Sequence, residues 1–211
     1  MHTWIIVAAA SAGLAVGWSA APMAGPYVDG VSRANRTAMA VATAAGWGVL
    51  GGLLGSSVLL AALLYLAGVG TLLAFIDLRV ERLPDRFTLP SYGVASALLA
   101  LAVPFTEGGV GRLVHACAGM AALFALFAVQ AVLVPGGIGL GDVKLAGVLG
   151  LYLGWFGAAT WWTGLLTMYL LGGVAAFAVM AVRRSRAGSI PFGPSMLLGT
   201  LAAIMLELPG S

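Results

Sequence analysis

Asp77 and Asp142 are the residues of this chain best placed to do chemistry. Asp77 follows directly on the apolar run Thr71-Leu72-Leu73-Ala74-Phe75-Ile76, and Asp142 directly precedes Val143-Lys144 and the apolar run that begins at Leu145. Each carboxyl group therefore sits at the end of a predicted membrane helix. A carboxylate carried to the bilayer centre costs up to about 3 kcal/mol, and less near the interface, so such residues are functional candidates by default. Two of them at one depth can act as a shared-proton dyad: one activates water while the other protonates a carbonyl or a leaving group. That chemistry calls for no metal, cofactor or covalent nucleophile. Gly137, Gly139 and Gly141 remove side chains at three alternate positions just before Asp142. They permit unusual backbone angles and close backbone approach, so a substrate strand could dock beside them. The competing reading is that Asp142 merely caps a helix starting at Val143 and that the glycines form an ordinary loop.

The elements that must position these groups are membrane helices. Of 211 residues, 61% are hydrophobic and only 8% are charged, whereas a soluble domain carries roughly a quarter of charged residues. The ten basic and seven acidic side chains fall in short clusters between long apolar runs, which is the pattern of a polytopic all-α membrane protein. In such a chain the net charge of +3 reports topology, and no nucleic-acid partner is implied. Cys117 is the single cysteine; it can form no intramolecular disulfide and reads as a small packing residue.

Apolar runs place about eight spans in one integral membrane domain over 1–211. The first lies within 1–25 and lacks the basic n-region of a cleaved signal peptide. Others are expected at about 38–54, 57–77, 91–105 and 113–134. The over-long run from Leu145 to Val182 divides near Ala159-Thr160-Trp161-Trp162, and the last span covers about 192–206. With the N-terminus outside, eight spans put Arg33, Arg36, Arg79, Arg82, Arg86, Lys144, Arg183, Arg184 and Arg186 on the cytoplasmic side and leave only Arg112 outside, as the positive-inside rule asks. Asp29, Asp77, Glu81, Asp85 and Asp142 then share the inner side, so the two candidate carboxyl groups can meet.

The stretches that carry them resemble a known family. Ile76-Asp77-Leu78-Arg79-Val80-Glu81-Arg82-Leu83-Pro84-Asp85-Arg86-Phe87-Thr88-Leu89-Pro90 is similar to the pattern I-D-x6-P-[DN]-x2-T-L-P of type IV prepilin peptidases. Gly137-Ile138-Gly139-Leu140-Gly141-Asp142-Val143-Lys144-Leu145 matches their G-x-G-x-G-D-x-K-L, and Ile190-Pro191-Phe192-Gly193-Pro194 resembles their I-P-F-G-P. Presenilin-type intramembrane proteases share G-x-G-D but also use a Pro-Ala-Leu motif, which this chain lacks.

The resemblance implies a GxGD-type membrane aspartic protease with Asp77 and Asp142 as its catalytic pair. It would remove a short basic leader from a prepilin or pseudopilin, typically after a Gly that precedes a hydrophobic helix, at the cytoplasmic face of a prokaryotic plasma membrane. Pro84, Asp85, Gly137, Gly139, Gly141 and Lys144 become candidates for shaping the site or touching substrate. Asp85 stands where the family accepts Asp or Asn, which favours a loop contact or turn over catalysis. Lys144 could tune Asp142, meet substrate or anchor the inner face. Pro191 to Pro194 are read as shaping the entry of the last helix. Larger members carry paired cysteines in a cytoplasmic loop after the first helix and also N-methylate the new N-terminus. Here that loop, about Pro26 to Arg36, has no Cys, so a peptidase without zinc or methyltransferase activity is expected. The lipid bilayer is the other expected partner.

Two readings from other classes compete. In a transporter, Asp77 and Asp142 would form an ion or proton relay, but no Asp, Glu or Lys stands in mid-span to continue it. An inactive scaffold for pilus assembly would not need both aspartates. A serine or metal intramembrane protease is disfavoured, because neither an HExxH pattern nor a GxSxG serine with a matching His is present.

Overall fold

The apolar runs of the sequence become helices because helices satisfy every backbone polar group without water. The computed structural model describes residues 3–134, 136–183 and 191–208, with the backbone alone at 182 and 183. Arg184, Arg186 and Ile190 lie outside the described residues. Eight α-helices follow one another among the described residues: α1 Thr3–Ala20, α2 Arg33–Leu54, α3 Leu59–Val80, α4 Asp85–Ala102, α5 Gly109–Leu133, α6 Leu140–Phe156, α7 Ala158–Arg183 and α8 Gly193–Glu207. α1 to α5 and α7 are long and apolar enough to cross a membrane. α6 has 17 residues and α8 has 15, or about 25 and 22 Å at 1.5 Å per residue.

Several boundaries depart from the sequence expectation for identifiable reasons. α2 begins at Arg33 because the Ser32 hydroxyl accepts the Asn35 N–H at 3.2 Å and caps the polar first turn. α4 begins at Asp85 and not near 91, since Pro84 is extended and its carbonyl accepts the Phe87 and Thr88 N–H groups. Pro90 is carried inside that helix. The long run from Leu145 breaks at Gly157, where φ is +111°, a conformation closed to L side chains. The Trp161-Trp162 pair consequently lies in the first turn of α7 and not at the break. Cys117, expected as a packing residue, is exposed on α5.

α6 is the centre of the molecule. Every residue from Leu145 to Trp155 is buried, the signature of a helix enclosed by others on all sides, with α4, α5, α7 and α8 packed around it. A helix clothed in protein need not match the hydrocarbon thickness, which accounts for its shortness. Its closest partner is α5: a Cβ on Gly119 would stand 2.6 Å from the Gly150 carbonyl oxygen, so the two backbones touch, as small residues allow within a bilayer. Polar ties fix its height. The Tyr152 hydroxyl donates to the Ala62 carbonyl of α3 at 3.0 Å, and the Tyr92 hydroxyl of α4 donates to the Lys144 carbonyl at 2.6 Å. These contacts set the level at which the first turn of α6 meets the last turn of α3.

Candidate active site

Asp77 lies in the last turn of α3 with 4% of its surface exposed. α3 continues one turn past it and stops at Glu81, whose φ of +53° and ψ of +41° are left-handed, a conformation costing a non-glycine residue about 1 kcal/mol. That turn sends the chain directly into Leu83 and Pro84, both buried. Asp77 Oδ2 accepts the backbone N–H of Gly193, the first residue of α8, at 2.9 Å. A Cβ at position 193 would stand 2.8 Å from that oxygen. Only glycine therefore lets the amino end of α8 come close enough to give Asp77 one of its free N–H groups.

Asp142 is in the first turn of α6, which starts at Leu140 and not at Val143 as the capping alternative had it. Its Oδ2 accepts the Gly139 N–H at 3.2 Å, while its own N–H donates to the Gly139 carbonyl at 3.0 Å. Asp142 thus does contribute to the helix start, through one oxygen. Gly141 brings the two halves of the site together: a Cβ there would lie 2.9 Å from Leu83 Cβ. Leu83 reaches the other way to within 3.4 Å of a Cβ at Gly193. One buried leucine is consequently wedged between the amino ends of α6 and α8.

Asp77 and Asp142 line a single cavity of about 580 Å³. Pro84, Asp85, Gly139 and Gly141 line it too, together with Tyr27, Arg82 and Arg86. Gly137 and Lys144 are not part of that lining. Gly137 belongs to the turn after α5, where its N–H donates to the Val134 carbonyl at 2.9 Å. The Lys144 Nζ donates to both carboxylate oxygens of Asp85 at 2.7 Å. The pair is 33% and 54% exposed, which limits its worth to about 0–1 kcal/mol, but it joins α6 to the first residue of α4. Neither Asp77 nor Asp142 has a cation within salt-bridge distance among the described residues. Among the same residues no group of three or more His, Cys, Asp or Glu is gathered as a metal site would need.

This arrangement brings two carboxyl groups into one partly enclosed cavity, with no cation beside either among the described residues. The sequence reading did not find Gly193 as a partner of Asp77. The available signal was a glycine between Phe192 and Pro194 at the start of an apolar run, where an amino-terminal N–H must find an acceptor.

Residues 64–204 match the model of the type IV leader peptidase family. The chain is 31% identical over 184 residues to a prepilin leader peptidase/N-methyltransferase of Aeromonas salmonicida (strain A449) and 32% identical over 184 residues to one of Aeromonas hydrophila. Each alignment covers 85% of this chain but 57% of the relative. The chain thus spans little more than half the length of those relatives. No solved structure matches it.

Proposed function

The chain belongs to the type IV leader peptidase family, and on that premise we propose that it is a membrane aspartic endopeptidase removing the leader peptide of type IV prepilins or pseudopilins. The observation that carries the proposal is the cavity that Asp77 and Asp142 both line, each held by a backbone N–H and neither, among the described residues, by a cation. In the reaction one carboxylate takes a proton from water as the oxygen attacks the scissile carbonyl. The other carboxyl group gives its proton to the carbonyl oxygen. The tetrahedral diol collapses as the newly protonated carboxyl group gives its proton to the leaving amine and the other carboxylate takes a proton from a diol hydroxyl, so the pair again holds a single proton. Two aspartates suffice for this balance, without a cofactor.

The remaining residues shape the site. Gly193 and Gly139 orient the two carboxyl groups, Gly141 admits Leu83, and Pro84 starts α4. The Asp85–Lys144 pair holds α4 to α6, and Gly137 sets the turn that leads into α6. The placement of Arg33, Arg36, Arg79, Arg82 and Arg86 at the helix ends beside the dyad supports a cytoplasmic orientation in a prokaryotic plasma membrane. The relatives are named for two activities. The segment between α1 and α2 here has no Cys, which supports the peptidase alone.

Co-expression with a prepilin reporter in cells lacking their own peptidase, with the reporter's N-terminus read by mass spectrometry, tests the proposal. Loss of the leader at a single bond is the expected result. An intact leader on every prepilin and pseudopilin tried would overturn it.

A further inference from the structure

α3 carries Asp77 and has an apolar groove on each side of it. One groove, of about 560 Å³, is floored by α3 from Ala61 to Leu72 and walled by α1 (Val16, Ala20) on one side and by the start of α4 (Arg86, Phe87) on the other. The other, of about 600 Å³, lies between α2, α3 and α8 and includes Ala42, Leu78, Pro194 and Leu198. Volume does not choose between them, and both are apolar. Continuity does. Arg86 lines both the first groove and the cavity of Asp77 and Asp142. Tyr27 of that cavity also meets Phe87 of the groove edge-on, with ring centroids 6.1 Å apart. The second groove ends at Leu78 and Pro194, behind the hydrogen bond from Gly193 to Asp77, and shares no lining residue with the dyad cavity.

We infer that the groove between α1, α3 and α4 seats the substrate's apolar helix just beyond the scissile bond. The inference rests on the leader peptidase reading and adds where the substrate lies. The floor from Ala61 to Leu72 is about 16 Å long at 1.5 Å per residue, enough for one face of a three-turn helix. It runs along α3 towards Asp77, so a helix lying in it delivers its amino-terminal end to the two carboxyl groups. Arg86 stands at the junction with no partner in the described structure. It faces the point where an apolar segment gives way to a polar one.

Two measurements test this on the full chain. In the first, Cys117→Ser and Asp142→Asn are combined with a single new cysteine, and crosslinking to substrates carrying one cysteine after the scissile bond is scored. Met23→Cys should link to substrate positions near the bond, and Ala61→Cys to positions two to three turns further on. Ala42→Cys and Leu198→Cys in the other groove should not link. In the second, Ala61→Phe should raise KM about tenfold with kcat within about twofold, the signature of lost uniform binding. That penalty should shrink on a substrate cut short after its cleavage site. Ala42→Phe should change neither constant. Links or a KM rise confined to the second groove, or no effect from either, would overturn the assignment. Cleavage by the unaltered chain in the same assay keeps that outcome distinct from failure of the leader peptidase reading, in which no prepilin is cleaved at all.

Discussion

Three aspartates line one cavity, and their surroundings divide them. Asp77 and Asp142 are held by single backbone N–H groups, from Gly193 and Gly139. Asp85, eight residues after Asp77 in the chain, is fastened through both oxygens to Lys144. A backbone N–H orients a carboxyl group and leaves an oxygen for water or for a proton. A lysine bonded to both oxygens of a carboxyl group occupies them instead. Under the proposed function, the difference teaches that lining a cavity does not make an acid catalytic. What matters is which partner the fold has supplied, and here helix starts supply N–H groups to two acids and a lysine to the third.

The comparison can be broken by exchanging those partners. Asp77→Asn and Asp142→Asn should each lower cleavage by about 10³-fold or more, because the dyad loses its base or its acid. Initial rates on a purified prepilin measure this, and substantial activity in either variant would remove that residue from the dyad. Gly193→Ala comes next. A Cβ 2.8 Å from Asp77 Oδ2 must push the carboxyl group aside, and misplacement on the scale of 1 Å costs about 10²-fold. A kcat loss with a thermal midpoint close to that of the unaltered protein is expected, and unchanged kcat would show that the N–H of α8 is dispensable.

Smaller effects sharpen the other side. Asp85→Lys or Lys144→Asp alone should reduce kcat by about tenfold, and the two together should recover most of it, since the pair acts as a fastener and not as two independent charges. Failure of the double variant to recover would assign a separate task to one of them. Gly141→Ala should lower the thermal midpoint by a few degrees, as crowding of Leu83 by one methyl costs about 1–3 kcal/mol; a differential scanning measurement on the detergent-solubilised protein reads it directly.

Much of this arrangement is legible in the sequence, because apolar length and the placing of charges are strong signals in a membrane chain. The eight helices and the common end of Asp77 and Asp142 follow from them. The resemblance of the segments around Asp77, Asp142 and Gly193 to type IV prepilin peptidases follows from residue types at fixed spacing. Three things were hidden. The start of α4 at Asp85 was masked by Pro90, which usually marks a helix boundary but here sits within the first turns. The shortness of α6 depends on its enclosure by other helices, which no local pattern records. The partnership of Gly193 with Asp77 joins residues far apart in the chain, and a lone glycine does not announce which carboxylate it will approach.

The central claim is that the proton is shared between Asp77 and Asp142 while Asp85 only fastens helices. The pH dependence of kcat/KM, measured for the unaltered chain and for Asp85→Asn, tests it most directly. A shared-proton dyad gives a bell-shaped profile, falling at low pH when both carboxyl groups are protonated and no base remains, and at high pH when both are ionised and no acid remains. The account predicts the same two limbs in both proteins, with a lower plateau in the variant. Loss of either limb in Asp85→Asn would contradict it and make Asp85 a member of the reacting pair.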